Sequence, residues 1–179
     1  MSNARAVIVI ANGVEDAEFC YPFYRLQEHG FSVVDVATKG RAAVTAKHGL
    51  PIAATVDAEK IREVDYDLLV IPGGYESPDR VRQIKNVLQC VRDFDARGKI
   101  ISSVCHGPWV LVSAGIMRGR RATCYVGCKD DLINAGVEYG EVPVMVDRNL
   151  VTAQHFRDNA AWMRETLAVF DRWREGQPS

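Results

Sequence analysis

Three short runs carry unbroken apolar centres: Ala6-Val7-Ile8-Val9-Ile10, Leu68-Leu69-Val70-Ile71 after Asp67, and Ile100-Ile101 after Lys99. A strand with one wet face would alternate apolar and polar residues. Continuous runs of this length mark strands covered on both faces, as in a parallel sheet. Helical stretches lie between the strand-like runs. Residues 16–29 read as a helix stopped by Gly30, with a kink expected at Pro22. Residues 86–97 read as another, closed by Gly98. Ser32 to Ala37 supplies a further strand. This alternation predicts an α/β fold, a mostly parallel doubly wound sheet with helices on both faces.

The remaining chain fits that frame. Residues 38–55 are more polar, with two strand-like pieces around Lys47-His48-Gly49-Leu50-Pro51, and predict an antiparallel side hairpin. Residues 122–125 read as a short strand and 129–134 as a short helix ended by Ala135-Gly136. Residues 142–145 and 150–153 pair around Asp147-Arg148-Asn149. Residues 159–173 form a final helix whose Trp162, Leu167, Phe170 and Trp173 are core rather than a ligand box. Gly176 to Ser179 reads as a tail. At 179 residues and 47% apolar, the chain suits one domain over 1–179.

Composition excludes several partners. There are 22 basic and 23 acidic residues, so nothing suggests nucleic acid. Met1-Ser2-Asn3-Ala4-Arg5 leads directly into a strand without a secretory pattern, and no apolar stretch reaches membrane-spanning length. A cytoplasmic protein is expected. The five cysteines are odd in number and irregularly spaced, which fits free thiols. Cys124 and Cys128 lack a matching second ligand pair, so no metal is expected, and no cofactor is called for.

Ligands of doubly wound sheets bind beyond the carboxyl ends of the strands. Four features fall there. Val104-Cys105-His106-Gly107-Pro108 joins a strand to a helix that Gly115 closes. With small Ser103 and Gly107 flanking it, Cys105 occupies a nucleophile elbow. The helix N-terminus and His106 are expected to lower its pKa below that of a free thiol. In Asn12-Gly13-Val14-Glu15-Asp16-Ala17-Glu18, the first carboxylates complement a helix dipole, while Glu18, one turn further in, can face the cysteine. Pro72-Gly73-Gly74 offers backbone N–H groups for an oxyanion. The loop after Ala153 is the fourth. His106 needs an orienting acid to act as a base. Asp79 is the candidate, or else a helix cap. His29 and His48 read as surface residues.

These residues together resemble the PfpI family of intracellular cysteine peptidases and protein deglycases, within the glutamine-amidotransferase-like superfamily. The matching stretches include Asn12 to Glu18, Tyr21-Pro22, Lys47-His48-Gly49, Ile71 to Gly74, Pro78-Asp79-Arg80, Val104 to Pro108, Arg118-Gly119-Arg120 and Asp130 to Gly136. The resemblance implies a three-layer flavodoxin-like sandwich with Cys105 as nucleophile, Glu18 as the buried acid on its sulfur and His106 as the histidine. Peptidase-like members complete a triad with an acid from a neighbouring subunit. Asp79 falls nearest that position, where glutamate is usual, and Glu76 is its rival because the loop is one residue longer. Tyr125 matches a tyrosine near the site. Gln154-His155-Phe156 replaces the usual serine-arginine, so His155 is expected to line an altered pocket.

Two classes of function follow. One is a thiol hydrolase: a peptidase, or a deglycase or glyoxalase on methylglyoxal- or glyoxal-derived adducts in stress protection. Its oxyanion would be held by the N–H groups of Gly74 and His106. Its partners are a small electrophilic or peptide substrate and further copies of itself in a homodimer or larger homo-oligomer, with no nucleic acid and no membrane. The other class is a redox-sensing or chaperone-like stress protein that uses oxidation of Cys105.

Overall fold

In a computed structural model that describes residues 3–176, the strands in chain order begin with β1 Arg5–Val9, β2 Val33–Thr38, β3 Val44–Thr45 and β4 Pro51–Ile52. They continue with β5 Val56–Asp57, β6 Leu68–Ile71, β7 Ile100–Val104 and β8 Arg121–Ala122, and end with β9 Glu138–Tyr139, β10 Val144–Asp147 and β11 Leu150–Ala153. The helices are α1 Asp16–Glu28, α2 Glu76–Val81, α3 Lys85–Ala96, α4 Pro108–Ala114, α5 Lys129–Asn134 and α6 Asn159–Glu175. The seven-stranded main sheet has the order β10-β11-β7-β6-β1-β2-β5. All of its pairings are parallel except β10 with β11.

The unbroken apolar runs are explained by two cores. Successive strand residues point to opposite faces. Ile8 and Ile10 therefore join Phe19 and Leu26 of α1 and Trp162, Met163 and Phe170 of α6. Val7 and Val9 join Leu69, Ile71, Phe94 of α3 and Leu111 of α4 on the other face. Each fully buried Val, Leu, Ile or Phe side chain contributes about 1.5–3 kcal/mol. Trp162, Leu167 and Phe170 are buried as the stripe predicts, with Trp173 half-buried.

Several boundaries differ from expectation. α1 runs through Pro22 as one helix. The side hairpin forms as β3–β4, but the polar stretch also ends in β5, an unpredicted edge strand beside β2. The expected strand at 122–125 is only Arg121–Ala122, paired with β9, which sequence periodicity missed because each strand has two residues. The strand expected at 142–145 lies at Val144–Asp147, and its turn places Arg148 at φ +54. Asp79 is neither loop nor cap: it lies inside the short α2. The tail residues Gln177 to Ser179, and Met1 and Ser2 of the lead-in, lie outside the described residues. No helix among the described residues is long and apolar enough to cross a membrane. β1, β6, β7 and β11 run in the same direction, so the segments after them share one edge of the sheet.

Candidate active site

β7 stops at Val104, and the next residue, Cys105, has φ +61. A left-handed conformation costs a residue with a side chain about 1–2 kcal/mol, so the surroundings must enforce it. The Cys105 N–H donates to the Ala153 carbonyl at 2.9 Å, and its carbonyl accepts from the Tyr125 N–H at 3.0 Å. The Gly107 N–H closes the turn on the Val104 carbonyl at 2.9 Å, just before α4 starts at Pro108. Ser103 secures the strand beneath by donating its hydroxyl to the Ile71 carbonyl at 3.0 Å. This is a strand–turn–helix elbow with a thiol at its apex.

Glu18 approaches from the first turn of α1 and has no exposed surface. Its Oε2 accepts from the Gly73 N–H at 2.8 Å, while Oε1 has no aligned partner. Burial pushes its pKa up to about 7; the Gly73 N–H opposes this and the Glu15 charge adds to it. The expectation of a lowered Cys105 pKa is corrected by this geometry. Burial foremost, and then the Glu18 carboxylate, push the thiol up, and the N–H groups of Gly74 and His106 only partly oppose them. One pocket cannot hold two adjacent negative charges cheaply, so the two groups share their protons as a pair. A thiolate forms most readily when Glu18 keeps its proton and donates it towards sulfur.

Gly73 and Gly74 make this closeness possible. A Cβ on Gly73 would lie 2.6 Å from the Cys105 Cβ, 2.6 Å from Glu18 Oε2 and 2.9 Å from the His106 nitrogen. Gly74 takes φ +79 with its backbone against Gly13, Val14 and Glu15. The backbone N–H groups of Gly74 and His106 favour negative charge on the Cys105 sulfur.

His106 Nδ1 lies 3.2 Å from Cys105 Sγ. Burial, followed by the charge of Lys47, lowers the imidazole pKa below its ordinary value, so the ring is neutral at pH 7 and able to take a proton. Tyr125 stacks on it at 4.8 Å between centroids and Trp109 meets it edge-on at 5.0 Å. His155 lies 6.2 Å from the Tyr125 ring, completing an aromatic wall. Its Nδ1 accepts from the Arg157 N–H at 3.4 Å.

The chain thus gathers Cys105, His106, Glu18, Gly74, Tyr125 and His155. It does not bring Asp79 or Glu76 to His106. Asp79 is exposed on α2. Glu76 is ion-paired with Arg80 and sits against Gly13. Cys124 and Cys128 are buried, with thiols pushed up to about 12 by burial. Glu15 and Asp16 do more than complement a dipole. Glu15 binds Lys47 Nζ at 3.0 Å and lies 3.4 Å from His48 Nε2, and Asp16 accepts the His48 N–H at 2.9 Å. Glu15, Asp16 and His48 bring ligand-type atoms within 4.8 Å of one another, but these contacts already occupy them. Sequence reasoning missed Lys47. The signal available was a lysine at a hairpin tip and a crowd of carboxylates in need of a cation. A groove of about 730 Å³ runs over Cys20, Tyr21, Tyr24 and Phe156, and Cys105 does not line it.

Fold and site together define an α/β protein of the doubly wound type with a cysteine on a nucleophile elbow and a buried carboxyl beside it. The chain belongs to the DJ-1/PfpI family, whose pattern it matches over residues 4–169. It is 42% identical over 165 residues to Deglycase PH1704 of Pyrococcus horikoshii, covering 92% of this chain and 98% of that protein. It is 32% identical over 168 residues to Protein/nucleic acid deglycase 2 of Escherichia coli, covering 92% and 96% respectively. The crystal structure of Drosophila melanogaster DJ-1beta superposes with a TM-score of 0.86 at 25% identity, over 96% of this chain and 90% of that one.

Proposed function

We propose that this protein is a cysteine-dependent hydrolase of the deglycase or peptidase type, with Cys105 as nucleophile. The observation that carries the reading is the elbow itself: a left-handed cysteine with His106 Nδ1 at 3.2 Å and Glu18 buried beside it. Family membership and relatives named as deglycases support it. The step common to a peptide amide and a dicarbonyl adduct is addition of sulfur to an electrophilic carbon. The thiol proton passes to His106, a carbon–sulfur bond forms, and the carbonyl π electrons move onto oxygen. The N–H groups of Gly74 and His106, both beside the sulfur, are the proposed donors to that oxyanion. The carbonyl reforms as the bond to the amine or alkoxide breaks, the imidazolium gives its proton to that leaving group, and water activated by His106 then cleaves the acyl–sulfur bond to restore the thiol. Tyr125 and His155 line the pocket.

Among the described residues, no carboxylate is hydrogen-bonded to His106 as an orienting acid. Exposed Asp79 fits the role across a contact between two copies, which makes a homo-oligomer part of this proposal, in the cytoplasm and under carbonyl stress. A second reading has one observation in its favour. A Glu18 carboxyl held protonated up to about pH 7 also suits donation to a sulfinate, formed when two equivalents of peroxide oxidise Cys105. A panel of methylglyoxal adducts, free dicarbonyls and peptides decides between them, with wild type compared to Cys105→Ser. Turnover lost in the serine variant supports the hydrolase. No turnover by wild type on any member, with clean sulfinate formation under peroxide, selects the sensor.

A further inference from the structure

The β3–β4 side hairpin is docked on the loop between β1 and α1. The Gly13 N–H donates to the Thr45 carbonyl at 2.9 Å and the Lys47 N–H to the Val14 carbonyl at 2.8 Å. The Thr45 N–H donates to Asn12 Oδ1 at 2.8 Å, and the His48 N–H to Asp16 Oδ2 at 2.9 Å. These bonds fix both sides of the hairpin tip against the β1–α1 loop, which itself borders the thiol site: the Glu15 N–H donates to the Gly73 carbonyl at 3.4 Å. Glu15, whose side chain is 8% exposed, holds the ammonium at 3.0 Å. The lysine side chain itself is 40% exposed, so ammonium donors beyond the one held by Glu15 remain available to a ligand. Its charge is felt by Glu18, His106 and His155, and it feels that of Cys105 in turn.

Lys47 neutralises Glu15, but holding the hairpin in place does not depend on it alone. The hairpin is secured by the backbone bonds, and Glu15 has His48 as a second neighbour. We infer that Lys47 is a specificity-determining residue: it binds a carboxylate on the substrate and selects small acyl or aldehyde-adduct compounds that carry one beside the reacting carbon. A free amino acid adduct and the last residue of a peptide have that chemistry. Lysine suits the task as a compact charge with rotatable donors. Glu15 tempers it, keeping the ammonium oriented and its affinity for anions moderate.

This inference rests on the reading of Cys105 as nucleophile, and a test without turnover separates the two. Iodoacetate and iodoacetamide alkylate a thiol by the same displacement, releasing iodide, and differ in charge. The rate constant for each at Cys105 is measured by mass spectrometry in wild type, Lys47→Gln, Lys47→Arg and Glu15→Gln. Wild type should favour iodoacetate relative to free cysteine under the same conditions. Lys47→Gln should reduce the iodoacetate-to-iodoacetamide ratio about fivefold or more, and Lys47→Arg should restore most of it. Glu15→Gln should raise the ratio, because the ammonium loses its competing carboxylate. The wild-type advantage should shrink as salt rises from about 0.01 to 0.5 M. Equal slowing with both reagents in Lys47→Gln would make Lys47 a general support of the thiolate and overturn the inference. A ratio unchanged in every variant overturns it as well. Cys105 inert to both reagents sinks the nucleophile reading, and this inference with it.

Discussion

Glu18→Gln isolates the cost of keeping a carboxyl in the thiol pocket. The folded protein raises the Glu18 pKa from 4.5 to about 7, chiefly by burial. A raised carboxyl pKa means the folded state holds this proton more tightly than the unfolded chain does. Below pH 4.5 both states are protonated and the site carries no penalty. Between 4.5 and about 7 the unfolded chain releases its proton first, so folding stability falls as pH rises, and the loss is complete above about 7. Each tenfold in proton affinity is worth about 1.4 kcal/mol, so the whole loss is about 3 kcal/mol. Glutamine keeps the amide-sized volume and still offers an oxygen to the Gly73 N–H, but it does not titrate. Urea denaturation of both proteins at half-unit steps from pH 4 to 8 gives the comparison. The stability of Glu18→Gln minus that of wild type should climb by about 3 kcal/mol across that range, with most of the climb between pH 4.5 and 7. A flat difference would show that Glu18 titrates as it does in water, and the argument for a shared proton with Cys105 would fail.

Other outcomes follow from the same geometry. Gly73→Ala should cost about 1–3 kcal/mol and strongly slow Cys105 alkylation, because its Cβ would meet Cys105 and Glu18 at 2.6 Å; a neutral change in denaturation midpoint would refute the close packing. Arg120, 3% exposed and bonded to Asp95 and Asp147 at 2.7 Å each, ties α3 to the β10–β11 turn. Arg120→Ala should lose about 3–5 kcal/mol, read as a lowered Tm, and leave the alkylation chemistry of Cys105 unchanged in the folded fraction. Under peroxide, wild type should accumulate stable Cys105 sulfinate and Glu18→Leu distinctly less; equal yields by mass spectrometry would make Glu18 a packing residue only. Mixing Cys105→Ser with Asp79→Ala under subunit exchange should restore part of the activity lost by each. A fully active monomer in light scattering would refute the shared site.

The layers of this fold were legible because Val7 to Ile10 and Leu68 to Ile71 bury both faces, and that leaves a continuous apolar signature. Cys105 was legible because an elbow demands small neighbours at fixed offsets, here Ser103 and Gly107. Glu18 stood out only as one carboxylate among several. Its helical offset from Glu15 and Asp16 turns it inward, while theirs turns them towards the side hairpin. What stayed hidden depends on contacts between segments distant in sequence. Lys47 is a lysine at a turn until the β1–α1 loop grips its hairpin. β5 and β9 have two residues each, too few to show a period. The direction of the Cys105 pKa was misread for a related reason. A helix N-terminus and a histidine are visible in the sequence, whereas the burial of the thiol and the charge of Glu18 appear only when four loops converge.

The most direct test of the central claim is competition among the five cysteines for one reagent. All five thiols have their pKa raised by burial, but among the described residues only Cys105 has an imidazole nitrogen within reach of its sulfur, His106 Nδ1 at 3.2 Å, and only it sits on the elbow. Substoichiometric iodoacetamide at pH 7.5, followed by peptide mass spectrometry, should label Cys105 first, because His106 can take its proton. Labelling of Cys20 ahead of an inert Cys105 across pH 6 to 9 would contradict the account.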